Sequence, residues 1–204
     1  MILNFSDFSA NQRYHLMTQT IIPRPIAWAL TDSNNGSFNL APFSYFTAVS
    51  SAPPMLMLSV GKKPNGDSKD TLVNVIHNKK MVIHIASECH ADLVTNTSKT
   101  LAHGESELTE NNMLTTEFEG FSLPRLAQCD IAYGCELYEI KELGDVPQSL
   151  IFVEVKQVYI SDTVADIDEK HRITVHADRI KPLARLGGGE YATIEKPFTI
   201  VRPK

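Results

Sequence analysis

The chain has little of several things, and each shortage removes a class of protein. Cysteine occurs three times in 204 residues, at Cys89, Cys129 and Cys135, with no CxxC pair. An odd count in that spacing describes free thiols in a reducing compartment, not a disulfide frame. His90 follows Cys89, but no spaced partner pair follows it, so a tetrahedral metal site is not expected. No apolar run approaches the roughly 20 residues of a membrane helix. The opening "MILNFSDFSANQRYHL" lacks the basic head and apolar core of a secretory signal. The expectation is a cytoplasmic protein that does not enter membranes. Net charge is −5 with no continuous Lys/Arg stripe, which disfavours an extended nucleic-acid footprint. No GxGxxG follows the first strand-like run, so the dinucleotide fingerprint is missing too.

What is present is a globular composition, 43% hydrophobic and 21% charged, in a chain long enough for one domain over 1–204. "PIAWAL" (25–30) and "MLMLSVG" (55–61) are short apolar runs closed by turn residues, as in strands buried on both faces. Between them Asn35-Gly36 signals a hairpin, and Pro53-Pro54 marks a strand entry because proline cannot donate to a ladder. Leu72, Val73, Val75 and Ile76 recur at helical spacing, which predicts a helix over 69–78. "MVIHIAS" (81–87) reads as a strand, 89–102 as a second helix, and "GESELTENNML" as a polar loop. "IAYGCELYEIKEL" and "SLIFVEVKQVYIS" read as two long strands joined by "GDVPQ". Phe152, Glu154 and Lys156 alternate there with Val153 and Val155, giving one wet face. Mostly antiparallel strands with inserted helices predict a mainly β fold, a closed or partly closed barrel. An open doubly wound sheet is the weaker alternative, because strands and helices alternate only around 55–102.

Two stretches carry chemistry. "KKPNGDSKDT" (62–71) gathers Lys62, Lys63, Ser68, Lys69 and Thr71 where a helix is about to start. A helix N-terminus offers unpaired N–H groups and a dipole that favours an anion, so this is a seat for a phosphate. The commoner reading of such a stretch is an ordinary turn in which Ser68 caps the helix. "NLAPFSYFTAVSSAPPM" (39–55) is dense in small and hydroxyl residues. Small side chains let the backbone approach a flat ligand and bond its ring carbonyls; the same run also fits a bulged barrel strand with core aromatics.

Taken together, "PRPIAWALTDSNNGSFNLAPFSYFTAVSSAPPMLMLSVG", "SKDTLVNV" and "PLARLGGGEY" resemble the flavin reductase-like family of FMN-binding split barrels, in its flavoredoxin-like branch. The likeness runs in order from about residue 20 to 195. It implies a homodimer of six-stranded antiparallel split β-barrels with one FMN per subunit near the dimer interface. Asn39, Ala41, Pro42, Phe43 and Ser44 would lie along the isoalloxazine edge. Thr47, Ala48, Val49 and Ser50 would contact the ring and ribityl chain. Ser68, Lys69 and Thr71 would hold the phosphate, with Arg185 and Tyr191 covering the flavin. NADH or NADPH would serve as co-substrate, with hydride passing to flavin N5, and a partner oxygenase or redox protein would take the electrons. Two departures stand out. The Asp-His element of many nicotinamide-using relatives is replaced by "VHADRIKPLARLGGGEY", which contains His176. His84 also occupies a position in "MVIHIAS" where many relatives have a small amide residue. An electron-transfer flavoprotein that keeps its FMN, and a flavin-binding module without turnover, stay open beside the reductase.

Overall fold

The computed structural model describes residues 1–102 and 104–203. Its main sheet contains seven antiparallel strands: β1 (Ala27–Asp32), β2 (Phe38–Phe43), β3 (Phe46–Ser51), β4 (Pro54–Val60), β5 (Lys80–Ile85), β6 (Ile131–Leu143) and β7 (Gln148–Ile160). Their order is β2-β1-β5-β6-β7-β4-β3. The two edge strands, β2 and β3, are consecutive in the chain and separated only by residues 44–45. The ends of the sheet are therefore tethered to each other, and the sheet must curl into an incompletely closed barrel. This is the split-barrel class the sequence predicts, with seven strands in place of six. The extra strand arises because the chain bends at Ser44 and Tyr45, so that "NLAPFSYFTAVSS" makes two strands.

Side chains of β1 explain its unbroken apolar run. Ala27 and Ala29 face an inner cluster with Leu58, Met81, Ile83, Ile151 and Val153. Trp28 and Leu30 face an outer cluster with Leu40, Val82, Val94, Leu108 and Leu126. The strand is buried on both faces, so period-two alternation is absent. Small residues at 27 and 29 leave room for the larger inner side chains, and truncating Leu58 or Ile151 to Ala would cost about 2–5 kcal/mol. His84 belongs to this core: Leu126 N–H donates to its Nε2 at 2.9 Å, so Nδ1 carries the proton and donates to the Trp28 carbonyl at 3.0 Å. Burial pushes its pKa down to about 4.

The helices are α1 (Ala10–Thr20), α2 (Asp70–Asn78), α3 (Ala91–Asn96), α4 (Glu107–Glu110) and α5 (Ala177–Ile180). α2 inserts Leu72 and Val75 into the inner cluster. Three polar contacts fix its rotation on the sheet: Asn39 Nδ2 donates to Thr71 Oγ1 at 3.0 Å, Asn74 Nδ2 to Thr31 Oγ1 at 3.1 Å, and Asn78 Nδ2 to the Asp32 carbonyl at 2.8 Å. α3 is shorter than the predicted 89–102 helix, and α4 lies inside the segment predicted as loop. α1 starts at a capping box between Ser9 and Gln12 and buries only Thr18. Among the described residues, no helix is long and apolar enough to cross a membrane.

Candidate functional site

A cleft of about 70 Å³ opens where the N-terminus of α2 meets β2. Its walls combine Asn39, Ala41 and Pro42 of β2, Lys63, Lys69, Asp70 and Thr71 at the start of α2, the segment 97–101, and Glu107 of α4. Lys69 takes the N-cap position, with φ −68° and ψ 148°, and its side chain makes no cap hydrogen bond. Ser68 is therefore not the cap; its Oγ instead accepts from Lys62 Nζ at 3.4 Å. Burial holds the Lys69 ammonium below the usual lysine range, and it lies 5.4 Å from the centre of the Phe43 ring. Lys63, by contrast, is neutralised by Asp70 at 2.8 Å. Thr71 is 1% exposed, and its oxygen accepts from Asn39, which leaves its own hydroxyl proton to donate. The N–H groups of a helix start, a half-buried ammonium and spare hydroxyl protons are the donor set of an oxyanion site.

The opposite wall was not read from the sequence. Thr97 is tied down by Trp28 Nε1 at 2.9 Å, and Ser98, Lys99 and Thr100 follow it at the cleft. "TSKT" (97–100) repeats the hydroxyl–lysine composition of "SKDT" (68–71), the signal that could have found it. Glu107 is 6% exposed, and its Oε2 accepts from the Leu40 N–H at 2.9 Å. Burial raises its pKa, the Leu40 N–H opposes this, and Asp70 and Glu110 add to the rise.

The remaining predicted residues lie elsewhere. Thr47, Ala48 and Val49 are exposed and Ser50 half-buried on the edge strand β3, outside the cleft lining. Arg185 and Tyr191 belong to a small three-stranded sheet with Arg24. The Arg185 guanidinium lies 4.5 Å from the Tyr191 ring centre, and the Tyr191 hydroxyl meets Thr95 Oγ1 of α3 at 3.0 Å. Gly187 is required there because a Cβ would run into Gln19 of α1, and Gly188 because its φ is +57°.

Arg24, also missed, joins these pieces. It is 5% exposed and donates to the carbonyls of Thr18, Ile21 at 2.7 Å and Leu186 at 2.8 Å, and to Ser44 Oγ at 3.5 Å. One guanidinium thus holds the end of α1, the glycine loop and the bend between β2 and β3. His176 has an acidic partner in space despite lacking one in sequence: its Nε2 is 2.7 Å from Asp166 Oδ2, which Arg179 also contacts. That group does not line the cleft.

Comparison with known proteins places the chain. Residues 17–179 match the flavin reductase like domain, and the chain belongs to that family. It is 31% identical to nitrilotriacetate monooxygenase component B from Bacillus cereus, with a TM-score of 0.88 and 98% of each chain covered. It is 28% identical to the 2-nitrobenzoate 2-nitroreductase NbaA of Pseudomonas fluorescens, with a TM-score of 0.87, covering 100% of this chain and 96% of that one. The flavoredoxin of Desulfovibrio vulgaris (Miyazaki F) shares the fold at 13% identity, with a TM-score of 0.74 and 89% and 93% covered. The family and its relatives make this a flavin-related oxidoreductase.

Proposed function

We propose that the protein binds FMN and reduces it with NADH or NADPH, for use by a partner oxygenase, and that it acts as a homodimer. The observation that carries the reading is the N-terminus of α2 opening into a cleft lined by Lys69 and Thr71. A phosphate monoester fits that donor set: Lys69 supplies charge, Thr71 supplies a hydroxyl proton, and the helix end supplies N–H groups. Ser68 accepts from Lys62 in the turn ahead of the helix. FMN, when bound, supplies a ring that accepts hydride at N5. The exposed small residues of β3 would give that ring a backbone surface, and Arg24 fixes the chain at Leu186, next to the glycine loop. No side-chain nucleophile or paired carboxylate is needed for such chemistry. The similarity to a monooxygenase component B supports an oxygenase as recipient of the electrons.

The dimer reading rests on apolar surface near the ring end. Tyr14, Met17, Ile21 and Ile22 of the N-terminal segment and Val49 of β3 are 38–55% exposed, and Tyr14 contacts Tyr45 beside β3 with ring centres 6.4 Å apart. A two-fold partner covering this face is the common solution. Light scattering should return twice 22.7 kDa; a monomer mass across a concentration series would overturn the dimer. Anaerobic mixing of the FMN-loaded protein with NADH or NADPH should bleach the flavin absorbance. Bleaching by a reduced redox protein alone would replace the reductase reading with the electron-transfer one.

A further inference from the structure

The cleft holds more charge than a phosphate seat requires, and its bookkeeping is uneven. Lys63 is paired with Asp70 at 2.8 Å, and Lys99 with Glu110 at 3.5 Å. The β2 wall contributes Asn39, Ala41 and Pro42, which do not titrate. Among the described residues, the lining then retains one ammonium without a carboxylate partner, Lys69, and one carboxylate without a cationic partner, Glu107. The Glu107 side chain cannot easily swing away. Its Oε2 is held by the Leu40 N–H, and the preceding Ser106 Oγ donates to the Phe38 carbonyl at 2.6 Å, fastening α4 to β2 at both points. A flavin phosphate brings about −1.5 to −2 charges into this space.

We propose that Glu107 ties cofactor binding to a proton: the phosphate and the Glu107 carboxylate do not both stay charged in one cleft, so FMN binds with proton uptake at Glu107, which thereby sets how tightly a phosphorylated flavin is held at a given pH. The inference rests on the FMN reading above. The proton moves from solvent to the carboxylate and no bond is made or broken in the ligand. Burial already raises the Glu107 pKa in the free protein, and a bound anion raises it further. Because the complex binds more protons than its separated components, FMN affinity falls as pH rises through the interval between the free and bound pKa values, and reciprocally FMN favours the neutral acid.

The test is a fluorescence titration of FMN and of riboflavin into wild type and Glu107→Gln between about pH 5.5 and pH 8.5. Titration of the phosphate and of Lys69 is common to both proteins and cancels in the ratio of their dissociation constants. The ratio for FMN should be near one at the acid end and rise to about tenfold in favour of the Gln variant at the alkaline end. The riboflavin ratio should stay near one throughout. An FMN ratio that does not change with pH, or a riboflavin ratio that moves with it, would overturn the inference while leaving FMN binding intact. Absence of FMN binding by wild type at every pH would overturn the proposed function with it. Should the Gln variant fail to fold, calorimetry of wild type and Lys69→Met, in two buffers of different ionisation enthalpy, decides the matter at the pH where FMN affinity falls most steeply. Uptake of about half a proton with FMN in both proteins, and none with riboflavin, supports the link; zero uptake with FMN, or uptake lost in Lys69→Met, overturns it.

Discussion

The two ends of the candidate flavin surface are built differently. The phosphate end is assembled within one chain from buried polar groups: Thr71 against Asn39, Thr97 against Trp28, Glu107 against Leu40. The ring end is an edge strand, β3, whose residues 47–49 are exposed, beside a helix that buries only Thr18. A polar group fixed by a second polar group keeps its geometry before any ligand arrives. An exposed edge strand has no such fixing and depends on what covers it. The phosphate end is thus preorganised, whereas the ring end relies on Arg24 and, in the proposed assembly, on a second copy.

Perturbing each end in turn should separate them. Arg24→Met should have the largest effect, because it leaves carbonyls of Thr18, Ile21 and Leu186 without their donor. We expect a loss of roughly 3 kcal/mol or more in urea denaturation, at about 1–3 kcal/mol per group left unpaired. Riboflavin and FMN affinities should fall together, since the damage is at the ring end; a fall confined to FMN would break the comparison. The barrel between the two ends is sampled by His84. Its folded pKa of about 4 lies below the ordinary 6.5, so the folded state binds fewer protons between those values. The associated stability is full above pH 6.5 and lost as pH falls toward about pH 4, amounting to about 3 kcal/mol. Wild type minus His84→Gln, followed by denaturation across that range, should show this slope, and a flat difference would contradict it.

At the phosphate end, Thr71→Val should weaken FMN roughly tenfold to hundredfold, the worth of a hydrogen bond to a charged group. It should also lower the melting temperature, because the Asn39 amide loses its acceptor. Thr71→Ser should restore both, and riboflavin affinity should follow the stability change only. Lys69→Met should be mildest, about fivefold on FMN or about 1 kcal/mol. Its effect should shrink with added salt, since the ammonium is only half-buried. A riboflavin effect of equal size would show that Lys69 serves the ring end instead.

Apolar runs located β1, β4 and β5, and periodicity located the long β6–β7 hairpin and α2, because each buries enough apolar surface to mark its own residues. Both missed α1, whose face is nearly all exposed and whose signal is the Ser9–Gln12 capping box alone. Family likeness assigned Ser68, Lys69 and Thr71 to the phosphate and Asn39 to the ring edge; the structure brings Asn39, Lys69 and Thr71 to one cleft, and Ser68 is not among its lining residues. Glu107 and Arg24 escaped because their roles come from partners 67 and 162 residues away, Leu40 and Leu186. Separation in the chain hides such contacts from any local pattern. The reading of Ser68 as helix cap failed for a simpler reason, since the helix begins one residue later than a serine cap would require.

The strand order also carries a consequence for synthesis. The β3–β4 hairpin joins the rest of the sheet only through β7, which ends at Ile160. While the ribosome is still making residues 61–147, that hairpin has an unpaired flank, and the barrel is two fragments. The pairings that unite them are long-range, and long-range pairings form late and slowly. The β2 and α2 walls of the cleft leave the ribosome well before the β6–β7 hairpin that completes the barrel beneath them. A nascent chain stalled before residue 148 should therefore be protease-sensitive across β3 and β4, and one released past residue 160 should be protected.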